Sequence, residues 1–218
     1  MTLFALFFCC FTPLFSQDFT LSGIVKNADD APIEFANVFL LDSDYSTLLK
    51  GTTTDVNGKF RLTGVDKGTY FIKASYIEAE SEPFLLEVMK GDIDTLAIVL
   101  NENQQLDEVV VIQQKPRLER KVDRLVFNVE NTALADGDIW DVLKRTPNLL
   151  IINDKLTVNG SGSVGILING RKVNIPERDI INLLSGTSAS SVESVEVITN
   201  PPAKYSAEES ILVNIVNA

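Results

Sequence analysis

Ser190-Ser191-Val192-Glu193-Ser194-Val195-Glu196-Val197-Ile198-Thr199-Asn200-Pro201-Pro202-Ala203-Lys204-Tyr205 is the stretch around which the chain is organised. Val195 and Val197 alternate with Glu196 and Ile198, the pattern of a half-buried strand. Asn200-Pro201-Pro202 ends it, because proline has no donor N–H and restricts the residue before it. A second apolar run follows at Ile211-Leu212-Val213-Asn214-Ile215-Val216, and the chain stops two residues later. A chain that ends on an apolar strand reads as interrupted.

Upstream, from Lys121, the pattern is mixed α/β. Leu125–Val129 reads as a strand. Asp136-Gly137-Asp138 caps a helix carrying Ile139, Val142 and Leu143 on one face, with Trp140 beside it and Pro147 ending it. Leu149–Ile152 and Leu156–Val158 are short strands around Asn153-Asp154-Lys155. Val164–Val173 is a hairpin turning at Asn169-Gly170. Pro176-Glu177 opens a helix with Ile180, Ile181, Leu183 and Leu184, and Gly186 stops it.

Residues 19–100 contain no helical period. About seven apolar runs separated by turn chemistry argue for a small β-sandwich. The clearest run is Thr69–Ile77, with Tyr70, Ile72, Ala74 and Tyr76 on one face and Lys73 and Ser75 on the other. Asp55-Val56-Asn57-Gly58 is a tight turn joining Gly51–Thr54 to Lys59–Leu62. Residues 101–120 form a polar connector around one apolar island, Leu106-Asp107-Glu108-Val109-Val110-Val111-Ile112. From spacing alone the island is either the first strand of the next domain or a segment that pairs with a partner's sheet edge.

The first 17 residues are apolar, too short for a membrane-spanning helix of roughly 20 residues, and suit a signal peptide cleaved near Ser16-Gln17. No Lys or Arg precedes the apolar run, so the usual basic start is absent. The 218-residue chain carries a formal net charge of −11, which disfavours nucleic acid. It contains no histidine, which removes the Ser-His-Asp triad, the Cys-His dyad and histidine metal sites. Both cysteines, Cys9 and Cys10, lie in the leading stretch, so a processed chain has no thiol chemistry. Asp42-Ser43-Asp44 and Asp55–Gly58 lack the spaced oxygen set that calcium needs. Gly160–Gly165 lacks the Gly-Lys-Ser/Thr of a phosphate loop. The acidic pair Glu193 and Glu196 lies on a strand with no marked cleft. No catalytic residue, metal site or cofactor is expected, and the chain is read as a non-enzyme.

Two resemblances then assign the halves. Ser22-Gly23-Ile24-Val25, Pro32–Val38, Thr53–Phe60 and Gly68-Thr69-Tyr70 resemble the carboxypeptidase regulatory-like domain, which implies an all-β, transthyretin-like sandwich over 18–100 with no peptidase activity of its own. Leu106-Asp107-Glu108-Val109-Val110-Val111 resembles the segment that follows this domain in TonB-dependent outer-membrane receptors of the Bacteroidetes type. Arg120–Val129, Trp140–Asn148, Ile166–Arg171 and Val195–Tyr205 resemble the receptor plug, a small mixed α/β domain over 121–218. The resemblance implies a TonB-box-like strand at Leu106–Val111 docking to a TonB-type energy transducer. It also implies a plug signature comprising Asn169, Gly170, Arg171, Val195, Glu196, Val197, Asn200, Pro201 and Tyr205.

One departure is the turn after Tyr205, where Ala207-Glu208-Glu209-Ser210 has no glycine. The other is that the family continues into a barrel of roughly 22 strands. The expectation is therefore the signal, accessory and plug region of an outer-membrane nutrient receptor: exported, truncated or fragmentary, and unable to transport alone. Its place is the periplasmic side of the outer membrane, or the periplasm if the barrel is absent. The alternative is a free periplasmic module that binds sugar or protein.

Overall fold

A computed structural model describes residues 18–101, 114–152, 155–159, 164–202, 205 and 211–218. The leading stretch, Leu106–Val111, Ala203-Lys204 and the turn after Tyr205 lie outside the described residues.

The first unit contains β1 (Phe19–Asn27), β2 (Asn37–Leu41), β3 (Leu48–Thr53), β4 (Lys59–Val65), β5 (Gly68–Tyr76), β6 (Ala79–Glu80), β7 (Phe84–Val88) and β8 (Ile93–Leu100). They make a sandwich of two sheets. One is three-stranded, in the order β4-β1-β8; the other is five-stranded, in the order β3-β2-β5-β6, with β7 also paired to β5. Leu21, Val25, Val38, Leu40, Phe60 and Ile72 fill the space between them. Alternation in β5 holds as expected: Ile72 and Ala74 are buried, with Tyr70 and Tyr76 packed beside them.

Two glycines explain the spacing of the motifs in this half. β1 and β8 run parallel and closely apposed, and a Cβ at Gly23 would stand 2.7 Å from Leu96 Cβ and 2.8 Å from the Phe60 ring. Gly58 adopts φ +70, and its carbonyl accepts from the Val25 amide at 2.8 Å. The carboxylate of Asp55 accepts from the amides of Asn57 and Lys59 at 2.8 and 2.9 Å, an Asx turn. This turn does not fold β3 back onto β4. It carries the chain from the five-stranded sheet to the three-stranded one, so its flanking strands have other partners.

The second unit has a six-stranded sheet in the order β14-β13-β16-β15-β10-β9. The strands are β9 (Arg117–Arg120), β10 (Arg124–Asn128), β13 (Val164–Ile168), β14 (Arg171–Lys172), β15 (Val192–Ile198) and β16 (Ile211–Asn217). β11 (Leu149–Ile152) and β12 (Lys155–Val158) pair separately. Only β13 and β16 are parallel within the larger sheet. Arg117–Arg120, read as connector from sequence, is thus an edge strand whose charged residues resemble a linker because edges carry charge.

Helix α1 (Ile139–Arg145) starts at Asp138, whose carboxylate accepts from the Asp141 amide at 2.7 Å. Ile139, Trp140, Val142 and Leu143 are all buried, so the helix lies face-down on the sheet. Helix α2 (Glu177–Ser185) buries Leu184 and leaves Leu183 44% exposed, so the four apolar residues noted in it do not share one face. Both helices join Phe127, Val195, Val197, Val213 and Ile215 in one core. No helix among the described residues is long and apolar enough to cross a membrane.

The units are docked. β3 lies against β11, and a Cβ on Gly51 would meet Leu150 Cδ1 at 3.0 Å. Thr53 Oγ1 donates to Asn148 Oδ1 at 3.0 Å and also reaches Asn159 Oδ1. Asn37 Nδ2 donates to the Thr146 carbonyl at 3.4 Å. Arg120 pairs with Glu34 at 2.7 Å, and its guanidinium lies over the Phe35 ring at 5.6 Å.

Candidate functional site

The strand register puts Val126, Glu196, Asn214 and Leu167 in one row across β10, β15, β16 and β13. Their neighbours along the strands, Val195, Val197, Val213 and Ile215, point to the helices and belong to the core. The opposite face therefore carries the polar members of the row, bordered by a small apolar cluster of Leu167, Ile198 and Leu212 with Tyr205 against it.

Glu196 is the centre of a continuous network. Its Oε2 accepts from Arg124 Nη1 at 2.9 Å and from Asn214 Nδ2 at 2.8 Å. Arg124 turns its other edge to Asp123, donating from Nη2 at 2.6 Å. On the far side, Asn214 Oδ1 accepts from the Gly170 amide at 2.9 Å. Tyr205 completes the path by donating its hydroxyl to the Gly170 carbonyl at 3.3 Å. Asn169 is fastened separately: its amide donates to the Ile215 carbonyl and its Oδ1 accepts from the Asn217 amide, each at 2.9 Å.

The Asn169-Gly170 turn has φ of 49° and 72°, the left-handed pair that a tight hairpin demands. This aims the Gly170 amide at Asn214. Electrostatics reinforce the other end. The hydrogen bond and charge of Arg124 hold the Asp123 carboxyl below its ordinary value, and the hydrogen bond to Asp123, with the charge of Glu196, raises the Arg124 guanidinium further. An arginine forked between two carboxylates is well suited to fixing register, since both edges of its planar group are committed.

Of the residues singled out from sequence, Asn169, Gly170, Glu196 and Tyr205 are brought into or beside this network. Val195 and Val197 are buried structural residues on the opposite face. Arg171 is exposed on β14, Asn200 is exposed past the end of β15, and Pro201 is half-buried. Leu106–Val111 lies outside the described residues. Sequence reasoning gave no role to Asp123, Arg124 or Asn214. The available signal was Glu196 itself, a charge between apolar strand residues, which needs a partner when half-buried.

Asp42 accepts from the Ser46 and Thr47 amides at 2.8 and 3.0 Å, so its carboxylate is committed to its own loop. Among the described residues no group of three or more His, Cys, Asp or Glu gathers as a metal site. A second feature is a cleft of about 600 Å³ between the two units, with walls from both.

The family model for the carboxypeptidase regulatory-like domain matches residues 20–101, the span of the sandwich and its two glycine-dependent contacts. A carboxypeptidase regulatory-like domain is present. Solved structures match parts of the chain at low similarity. The minor pilin of Streptococcus agalactiae is 14% identical with a TM-score of 0.35, covering 43% of this chain and 48% of the pilin. A DUF3823 family protein of Parabacteroides merdae is 10% identical with a TM-score of 0.32, covering 52% of this chain and 57% of that one. A candidate carbohydrate-binding protein of Pseudomonas aeruginosa is 16% identical with a TM-score of 0.31, covering 38% of this chain and 88% of that one. No curated protein matches the chain.

Proposed function

We propose that this chain is the N-terminal, periplasm-facing region of a TonB-dependent outer-membrane receptor. The carboxypeptidase regulatory-like domain is its accessory module, Leu106–Val111 the segment that docks to a TonB-type energy transducer, and 121–218 the plug. The observation that supports this reading best is the Gly170–Asn214–Glu196–Arg124 path, which links plug-signature residues from distant parts of the sequence across one sheet face.

The path has a mechanical use. Docking would add a strand to the transducer's sheet edge, a mode in which main-chain hydrogen bonds supply the grip. Tension on that segment then passes through residues 114–116 into the edge strand β9, and from β9 to β10, which carries Arg124. The Arg124–Glu196 pair is a charged side-chain link between this hairpin and the neighbouring strand β15. A plug that must rearrange under load without unravelling gains from a polar tie of this kind, because charge-assisted hydrogen bonds are shorter and stronger than neutral ones and hold their partners in register. Transport itself belongs to the complete receptor with its barrel.

The test is binding of the purified chain to the periplasmic domain of TonB by calorimetry. Binding that disappears in the Val109→Lys, Val110→Lys double variant is expected. A folded chain that shows no binding would sink the docking role and favour a periplasmic interaction module.

A further inference from the structure

The cleft between the units has the size of a small-molecule site, about 600 Å³. Ile33, Tyr76 and Ile77 form the wall from the sandwich, and Pro116, Leu134 and Arg145 the wall from the second unit. Neither unit alone encloses it. Its lining is more apolar than polar, and among the described residues the charged ones that reach it are Glu78, Lys115, Asp141 and Arg145.

These four are not equally available. Asp141 holds Lys144 at 2.7 Å. Glu78 and Lys115 each have an interaction of their own. Among the described residues, Arg145 makes no ion pair and no side-chain hydrogen bond. Its guanidinium is a fork whose geometry matches a carboxylate. The chain's net charge of −11 repels anions at long range, so an anion is held only where a cation is free to meet it. The carboxylates of Asp141 and Glu78 are already engaged, so they offer a cationic ligand less than Arg145 offers an anionic one.

We propose that this cleft binds a small monoanion with an apolar body, a fatty or arylalkyl carboxylate, with Arg145 holding the carboxylate and Tyr76, Ile77 and Leu134 enclosing the body. The site needs both units in their docked arrangement. It goes beyond the receptor reading and does not depend on it.

The test is calorimetric titration of the full chain with octanoate and 3-phenylpropionate, using 3-phenylpropanamide as the uncharged counterpart. Both carboxylates are expected to bind at one site, and the amide to bind at least about tenfold more weakly. Arg145→Gln is expected to weaken the carboxylates by at least about tenfold and to leave the amide unchanged. Ala133→Trp, at an exposed lining position, is expected to fill the cleft and abolish binding of all three while the thermal melt is retained. The proposal is overturned by absence of carboxylate binding at millimolar concentration, by equal binding of acid and amide, or by unchanged carboxylate affinity in either folded variant.

Discussion

The Thr53 hydroxyl, on the outer face of the sandwich, donates to Asn148 Oδ1 in the second unit across 3.0 Å, joining residues 95 apart in sequence. Both side chains are buried, and Asn148 adopts φ 68, a conformation asparagine tolerates better than most residues. Thr53→Val keeps the shape and removes the donor, leaving a buried acceptor with less to bond. A loss of about 1–2 kcal/mol is expected from urea denaturation. Limited proteolysis should separate the two units more readily. An unchanged denaturation midpoint would mean that this contact does not bear on docking.

Arg124 and Glu196 should be energetically coupled. Both side chains are partly shielded, and Glu196 also takes a bond from Asn214. A double-mutant cycle with Arg124→Leu and Glu196→Gln is expected to give a coupling energy of about 1–2 kcal/mol. A coupling near zero would reduce the pair to an ordinary surface contact and remove the mechanical role assigned to it.

Acid should weaken the same network. The Asp123 carboxyl is held below its ordinary value by Arg124, so its ionised form is favoured by folding. Its contribution is present above the unfolded carboxylate value of about 3.9 and is lost as pH falls through the lowered folded value. In the Asp123→Asn variant the stability difference from the parent chain should be constant from neutral pH to about pH 5 and shrink below about pH 4. A difference that does not change between neutral and acidic buffer would exclude this linkage.

Gly23 and Gly91 distinguish crowding from backbone conformation. Gly23 lacks room for a methyl group against Leu96 and Phe60, whereas Gly91 has open space but φ +80. Gly23→Ala is expected to cost about 2–4 kcal/mol by forcing β1 from β8. Gly91→Ala should cost about 1 kcal/mol, the strain of a left-handed alanine. The thermal midpoints of the two variants rank them, and a milder Gly23→Ala would show that the β1–β8 contact is slack.

What could be seen in the sequence was local. The Asp138 cap, the Asn169-Gly170 turn and the alternation in β5 depend on residues a few positions apart, and each took its expected form. What stayed hidden depends on strands meeting across long separations. The parallel pairing of β1 with β8 is of this kind, as is the docking of β3 on β11. For the site, the plug resemblance pointed to Glu196 but gave no site role to Arg124 or Asn214, because only the register of three strands brings them together. Leu183 shows the reverse error: an apolar residue in a helix is not thereby a core residue, and this one faces solvent.

The position of β16 sets the order in which the chain can mature. This strand, Ile211–Asn217, lies between β13 and β15, so the middle of the sheet is filled by the strand that comes after both of them in the sequence. The sandwich has all its strands once Leu100 has left the ribosome and can close during synthesis, as leading domains commonly do. The second unit keeps a gap between β13 and β15 and an open core until β16 has left the ribosome. During that interval the finished sandwich, tethered beside it, is the nearest surface on which the waiting segments can rest.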